Sequence, residues 1–326
     1  AMFSAKPWVH QAFEPLADSF SAGITWLEPR LEPATAALAA GHEAVCVFVN
    51  DQVDAAAIQR MKDVGVRLVA LRCAGFNNVD LKAASRAGIG VVRVPAYSPY
   101  AVAEHAVGMM LCLNRRYHRS WSRVLEGNFA LDGLLGFDMR GKVVGVVGTG
   151  KIGKVLCDIL QGFGCRILAY DTFPDPALRD SGVEYVELPA IYERSDILSL
   201  HCPLTPETRH MIDARSLESM KKGVMIINTS RGPLIDTVAV IAALKTGKIG
   251  YLGLDVYEEE QELFFEDHSE QVIQDDVFVR LQTFPNVLIT AHQAFFTKEA
   301  VDNIARVTME NIREFLRTGT SANRVD

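Results

Sequence analysis

Short apolar runs alternate with stretches of helical spacing along this chain, the pattern of a parallel sheet covered on both faces by helices. Ala44 to Val49, Arg67 to Leu71 and Ile89 to Val94 read as the first clear strands. Ile58, Met61, Lys62 and Val64, then Leu81 to Ala87, read as short helices between them. Val143 to Val147, Arg166 to Tyr170, Val224 to Ile227, Tyr251 to Leu254 and Val287 to Thr290 are further strands. Pro95-Ala96-Tyr97-Ser98-Pro99 breaks the alternation and suits a hinge. Beyond it, apolar positions at Val102, Ala106, Met109, Met110 and Leu113 predict one long helix from about Tyr100 to Arg119. A last helix, about Lys298 to Arg317, follows the final strand and is expected to cross back onto the first domain. The expected organisation is a smaller, discontinuous domain (1–98 and 297–326) and a larger one (99–296) between its two pieces.

The larger domain carries the first chemical signal. Gly148-Thr149-Gly150-Lys151-Ile152-Gly153 follows the strand from Val143 and opens a helix with Ile152, Val155, Leu156, Ile159, Leu160 and Phe163 on one face. The next strand ends at Asp171, 18 residues past Gly153. Alone, G-x-G-x-x-G is weak evidence; between a strand and a helix, with an acid after the second strand, it is a dinucleotide fingerprint. Gly148 would make the tight turn, Gly150 would admit the pyrophosphate to the helix N-terminus beside Lys151 and Ile152, and Gly153 would let helix and strand pack closely. Asp171 would take the adenosine ribose hydroxyls and repel a 2′-phosphate. Thr172-Phe173-Pro174 brings no arginine to offset it, so NAD is expected rather than NADP.

Three charged residues follow later strands: Arg231, Glu260 and His292. In an open parallel sheet the carboxyl ends of the strands converge on one ligand crevice. A guanidinium there would clamp a carboxylate through two parallel hydrogen bonds, although arginine after a strand is as often bound to a surface acid. Glu260 ends the run Glu258-Glu259-Glu260, the kind of run that commonly faces solvent, and His292 competes with seven other histidines. Together, next to a dinucleotide, a cation, an acid and an imidazole are the equipment for hydride transfer.

These residues also carry a resemblance. The fingerprint with Asp171, then Leu200-His201-Cys202-Pro203-Leu204-Thr205, Asn228-Thr229-Ser230-Arg231-Gly232, Gly253-Leu254-Asp255-Val256-Tyr257-Glu258 and Ala291-His292 are similar to the D-2-hydroxyacid dehydrogenases. Leu263-Phe264-Phe265-Glu266-Asp267, Gln274-Asp275-Asp276-Val277-Phe278 and His292-Gln293-Ala294-Phe295 resemble its fermentative D-lactate dehydrogenase branch. The order Arg–Glu–His at gaps of 29 and 32 residues resembles the family's catalytic triad and selects Glu260 from its neighbours. The resemblance implies a Rossmann-type NAD domain inserted into a smaller flavodoxin-like substrate domain, both doubly wound parallel-sheet folds. It implies cofactor contacts at Cys202, Pro203, Thr208, Thr229, Ser230 and Asp255, and substrate contacts at Phe48, Ala74, Gly75, Tyr97, Arg231, His292 and Phe295. Phe48 departs from the tyrosine often found at its position in related enzymes. A homodimer joined through the NAD domain, with the helix from Tyr100 in the interface, is also implied.

The reaction so implied is reversible reduction of pyruvate by NADH to D-lactate. Arg231 would hold the carboxylate, His292 would act as general acid and base, and the charge of Glu260 would stabilise the imidazolium. Domain closure about Pro95–Pro99 would exclude water. The alternatives are a reductase of larger 2-oxo acids (phenylpyruvate, hydroxypyruvate or glyoxylate) and an NAD-sensing, corepressor-like interaction protein. Retention of all three charged residues weighs against the second.

Composition narrows the partners. A net charge of −7 without a basic block argues against nucleic acid, and no run approaches the ~20 apolar residues of a membrane span. The six cysteines contain no C-x-x-C pair and mostly lie in apolar runs, which suits core thiols in a reducing, cytoplasmic setting, and no metal site is expected. The chain opens at Ala1-Met2-Phe3-Ser4, where a first strand would need more apolar residues, so an organelle matrix or stroma enters the expectation if a transit peptide has been removed.

Overall fold

The computed structural model describes residues 1–20 and 23–325, which divide into two compact units, Ala1–Ser98 with Phe296–Asp326, and Pro99–Phe295. The first unit opens with helix α1 (Pro7–Phe20), then β1 (Ala44–Val47), α2 (Ala55–Asp63), β2 (Leu68–Leu71), α3 (Leu81–Ala87) and β3 (Gly90–Val92). Its strands pair in parallel in the order β1-β2-β3, and every residue of β2 is buried, as a central strand covered on both faces requires. Asp54 and Asp80 cap α2 and α3 by accepting from the third amide of each helix.

The second unit follows. Helices α4 (Pro99–Arg115) and α5 (Tyr117–Leu125) lead to β4 (Val143–Val147), α6 (Lys151–Gly162), β5 (Arg166–Tyr170), α7 (Pro176–Asp180) and β6 (Glu184–Tyr185). Then come α8 (Leu188–Arg194), β7 (Ile197–Leu200), α9 (Ala214–Ser219), β8 (Val224–Asn228), α10 (Thr237–Lys245), β9 (Ile249–Leu254), α11 (Asp276–Gln282) and β10 (Val287–Ile289). The chain returns to the first unit in α12 (Lys298–Thr318). That helix buries one face, including Ile304, Met309 and Phe315, and Phe315 packs with Leu68, Ala70 and Val92 of the small sheet. Gly90 explains itself here: a Cβ on it would lie 2.3 Å from the Phe315 ring.

The large sheet is all parallel, in the order β10-β9-β8-β7-β4-β5-β6. The chain starts at β4, winds outward through β5 and β6, then returns to β4's other side and continues through β7 to β10. This is the doubly wound Rossmann plan, and its switch point lies between β4 and β7. One face of the sheet is covered by α4 and α6, through Ala106, Met110, Leu156 and Leu160 against Val144, Val146 and Ile227. The other face packs Leu198, Ile226 and Leu252 with side chains of α8, α10 and α11.

The single helix expected from Tyr100 to Arg119 is two helices. Arg116 adopts the left-handed conformation (φ 52°) and separates α4 from α5. The apolar stripe ends at Leu113, and the buried Asn114 side chain turns away to bond Phe137, donating to its carbonyl and accepting from its amide at 2.7 Å each. Phe163, expected on the inner face of α6, is 38% exposed beyond the helix end. Among the described residues no helix is long and apolar enough to cross a membrane.

Candidate active site

Each chemistry-bearing segment of the second unit leaves the carboxyl end of a strand. Gly148 to Gly153 follows β4, Asp171 follows β5, His201 to Pro203 follows β7, Thr229 to Arg231 follows β8, Asp255 follows β9, and Thr290 to His292 follows β10. The two sides of the switch point touch. A Cβ on Gly148 would stand 2.6 Å from the Cys202 amide nitrogen, and Gly148 has φ 93°, so both space and backbone demand glycine. Gly153 packs α6 against the same turn: a Cβ there would fall 2.0 Å from the Gly148 carbonyl oxygen.

Gly150 differs. Among the described residues no atom beyond its chain neighbours lies within 4 Å of where its Cβ would be, and as N-cap it offers α6 no side-chain cap. The first amides of the helix, beginning at Lys151 and Ile152, are therefore left for a ligand's phosphates. Among the described residues the buried Thr229 hydroxyl has no hydrogen-bond partner, the kind of orphan a bound group would satisfy. An open glycine cradle, an uncapped helix N-terminus and an orphaned hydroxyl fit a dinucleotide.

Asp171 stands at the rim of this cradle. Its Oδ2 accepts from the Thr149 amide at 2.6 Å and hydroxyl at 3.1 Å, and its Oδ1 accepts from the Phe173 amide. The Tyr185 hydroxyl donates to Thr149 Oγ1 at 2.9 Å, tying the third strand to the glycine turn. Sequence reading missed Thr149 and Tyr185, since only register brings β6 to this place. Across the switch point, Ser230 Oγ donates to the Cys202 carbonyl at 2.7 Å and ties β7's loop to β8's. The Thr208 hydroxyl donates to the Pro203 carbonyl at 2.7 Å, so it braces its own loop. Burial pushes His201, whose Nε2 lies 2.8 Å from Ser199 Oγ, down to about 4.

The three acids after β9 separate by partner. Glu258 takes the Thr237 amide and hydroxyl at the start of α10 and pairs with His210 at 2.6 Å. Glu259 is exposed. Glu260 Oε1 stands 2.9 Å from His292 Nδ1 while its Oε2 accepts from the Tyr257 amide at 3.0 Å. With Nδ1 on the carboxylate, Nε2 is the ring nitrogen left to exchange a proton. The Phe265 ring lies 5.7 Å from the imidazole, centroid to centroid.

His292 has φ 51°, a costly left-handed conformation for a non-glycine residue. Asp255 brackets it: its carbonyl accepts the His292 amide at 2.7 Å, and its carboxylate accepts the Gln293 and Ala294 amides at 2.9 Å each. Arg231 follows β8 in extended conformation, half-buried, with Nη1 donating to the Ser230 carbonyl and its own carbonyl held by Asn228 Nδ2. Phe295 is buried at the end of this unit.

The other expected substrate contacts belong to the first unit. Phe48 is buried, meets Trp8 edge to face at 5.8 Å, and has its amide fixed by Asp51. The Ala74 carbonyl accepts from Arg93 and the Gly75 carbonyl from the Cys73 thiol. The Tyr97 carbonyl accepts from Asn303 at 2.8 Å.

Residues 107–294 match the profile of the D-isomer specific 2-hydroxyacid dehydrogenase NAD-binding domain. The chain is 52% identical to the D-lactate dehydrogenase of Escherichia coli K12 over 325 residues, covering 100% of this chain and 99% of the relative. The solved pyruvate reductase of Chlamydomonas reinhardtii superposes with a TM-score of 0.92 at 47% identity, over 97% of this chain and 95% of that one. A D-lactate dehydrogenase of Aquifex aeolicus, solved with NAD and lactic acid, superposes with a TM-score of 0.87 at 31% identity, over 97% and 95%.

Proposed function

The chain belongs to the D-isomer specific 2-hydroxyacid dehydrogenases, NAD-dependent oxidoreductases, and on that premise we propose that it is a D-lactate dehydrogenase acting on pyruvate. The observation that carries the proposal is the imidazole–carboxylate pair of His292 and Glu260, presented with Arg231 at neighbouring strand ends beside the open Gly150 cradle.

Arg231 binds the substrate carboxylate through its guanidinium fork and draws electron density from the adjoining carbonyl. NADH, when bound, supplies the hydride. His292 gives the proton on Nε2 to the carbonyl oxygen and, in the reverse direction, takes it back. Glu260, hydrogen-bonded to Nδ1, stabilises the imidazolium and fixes the ring's orientation. Asp171 takes the adenosine ribose and disfavours a 2′-phosphate. Cys202, Pro203, Thr208, Thr229, Ser230 and Asp255 are assigned to the cofactor side, and Phe48, Ala74, Gly75, Tyr97 and Phe295 to substrate contact.

The surface around α5 supports self-association. Trp121, Leu125, Phe129, Leu131 and Leu135 are all exposed within one short stretch, and clustered exposed apolar side chains mark interaction surfaces. We assign it to contact with a second copy of the chain. Four of the six cysteines, Cys46, Cys73, Cys157 and Cys202, are buried, which supports the reading of core thiols in a reducing compartment such as the cytoplasm.

Steady-state kinetics of two variants test the reaction. Arg231→Lys keeps charge but loses the fork, so the KM for pyruvate rises strongly while NADH affinity holds. His292→Gln loses turnover by ~10²–10⁴-fold, as removal of a general acid does. A pyruvate KM within about twofold of wild type for Arg231→Lys, or full turnover for His292→Gln, contradicts the assignment.

A further inference from the structure

His105 lies on α4 among the buried residues Val102, Ala103, Ala106 and Val107. Its Nε2 stands 3.1 Å from Thr290 Oγ1 and 3.5 Å from Asp255 Oδ1. Thr290 precedes His292 by two residues, and Asp255 is the fully buried carboxylate that brackets His292. The histidine therefore touches, from another layer of the fold, the group that holds the proton donor in place.

A proton inventory gives the contact its direction. The Asp255 carboxylate only accepts: Oδ1 takes the Thr290 hydroxyl at 2.5 Å and the Gln293 amide, and Oδ2 takes the Ala294 amide. A hydroxyl has one hydrogen, and Thr290 has given its own to Asp255. Thr290 must then accept from His105, so Nε2 carries a hydrogen. Burial shifts this imidazole toward its neutral form against the pull of Asp255, its ionisable neighbour. The chain of donors runs His105 to Thr290 to Asp255, and each member leaves the next with one geometry.

We propose that His105 is a positioning residue of the hydride-transfer site: by donating to Thr290 it fixes the Asp255 carboxylate that clamps the Gln293 and Ala294 amides, and so maintains the strained backbone that aims His292 at Glu260. The inference rests on the reading of His292 as proton donor. It gives a role to a histidine that touches no reacting atom, and it makes Thr290 the link.

The test separates the N–H from the bulk of the ring. His105→Leu removes the donor, and His105→Gln restores one without a titrating ring. We expect His105→Leu to lower kcat about tenfold, the scale of one lost hydrogen bond, with the KM for pyruvate within about twofold of wild type. The Gln variant should recover most of the loss. In ¹⁵N-histidine NMR spectra of the NADH complex, the His292 ring signals should move in the Leu variant and return in the Gln variant. Thr290→Val and Thr290→Ser read the same link from its other end and serve if His105→Leu fails to fold; Val should lose turnover and Ser should keep it. Wild-type kcat in His105→Leu, or in Thr290→Val, overturns the inference, as does a Gln variant as impaired as Leu. His292→Gln is measured alongside. If it loses turnover while the Leu variant does not, only this inference fails; if it keeps turnover, the reading of the reaction fails as well.

Discussion

Two alanine substitutions three residues apart, Gly150→Ala and Gly153→Ala, should fail in opposite ways. At Gly153 the new methyl would sit 2.0 Å from the Gly148 carbonyl oxygen and 3.0 Å from its carbon. An ordinary contact is about 3.5 Å, so helix and turn would have to part by roughly 1.5 Å. The opposing atoms are backbone, held between β5 and β7 by β4's parallel pairing, and cannot rotate away. The cost should reach the upper part of the ~1–3 kcal/mol range for overpacking. At roughly 2–4 °C per kcal/mol for a unit of this size, Tm should fall by about 5–10 °C.

At Gly150 the backbone is extended (φ −63°, ψ −166°), and among the described residues no atom beyond the chain neighbours lies within 4 Å of the new methyl. Stability should hold, or rise by up to ~1 kcal/mol through the lower entropy of the unfolded chain. The methyl would instead occupy the space of the cofactor's phosphates at the uncapped α6 N-terminus. Loss of one charge-assisted hydrogen bond, ~1.5–3 kcal/mol, weakens NADH binding roughly 10- to 100-fold. Thermal unfolding of the cofactor-free proteins and fluorescence titration with NADH separate the two effects. A Gly150→Ala protein that binds NADH like wild type, or melts as early as Gly153→Ala, would refute the reasoning.

Asp171→Ser should narrow the preference for NADH over NADPH by improving NADPH, and should weaken NADH too because Asp171 also holds the Thr149 amide; comparable wild-type efficiency with both cofactors would sink the assignment. His201 titrates near 4 when folded against its ordinary 6.5, because burial disfavours the charged imidazole. The unfolded chain therefore takes up the proton first as pH drops, and stability complete above 6.5 erodes as pH falls toward 4, by about 2 kcal/mol near pH 5. Urea midpoints of wild type and His201→Gln should converge with falling pH, and parallel acid limbs would contradict this. Leu131→Glu with Leu135→Glu should convert a dimer to monomers in sedimentation velocity, whereas a wild-type monomer would discard the interface.

The second unit was readable because parallel strands announce themselves as short apolar runs, and whatever follows such a run lies at the crevice. Val143 to Val147 before Gly148, and Val224 to Ile227 before Arg231, show how much follows from that rule. The choice among Glu258, Glu259 and Glu260 was not open to it. That choice depends on which acid already serves the α10 N-terminus and which meets His292, and the resemblance to a family supplied it. The break at Arg116 was hidden because Asn114 and Phe137, which define it, are 23 residues apart. Asp255 read as a cofactor contact, yet its carboxylate also braces the His292 turn, a role that depends on β9–β10 register and on α4 delivering His105. Contacts made across layers leave no periodic trace in a sequence.

The most direct test of the account follows NADH oxidation by the wild-type protein with pyruvate, 2-oxobutyrate and phenylpyruvate, and determines the configuration of the lactate formed. The account predicts the highest kcat/KM for pyruvate, a graded fall for 2-oxobutyrate at the ~1–3 kcal/mol that a methylene is worth, poor reduction of phenylpyruvate, and D-lactate as product. Preference for phenylpyruvate, or formation of L-lactate, would contradict it.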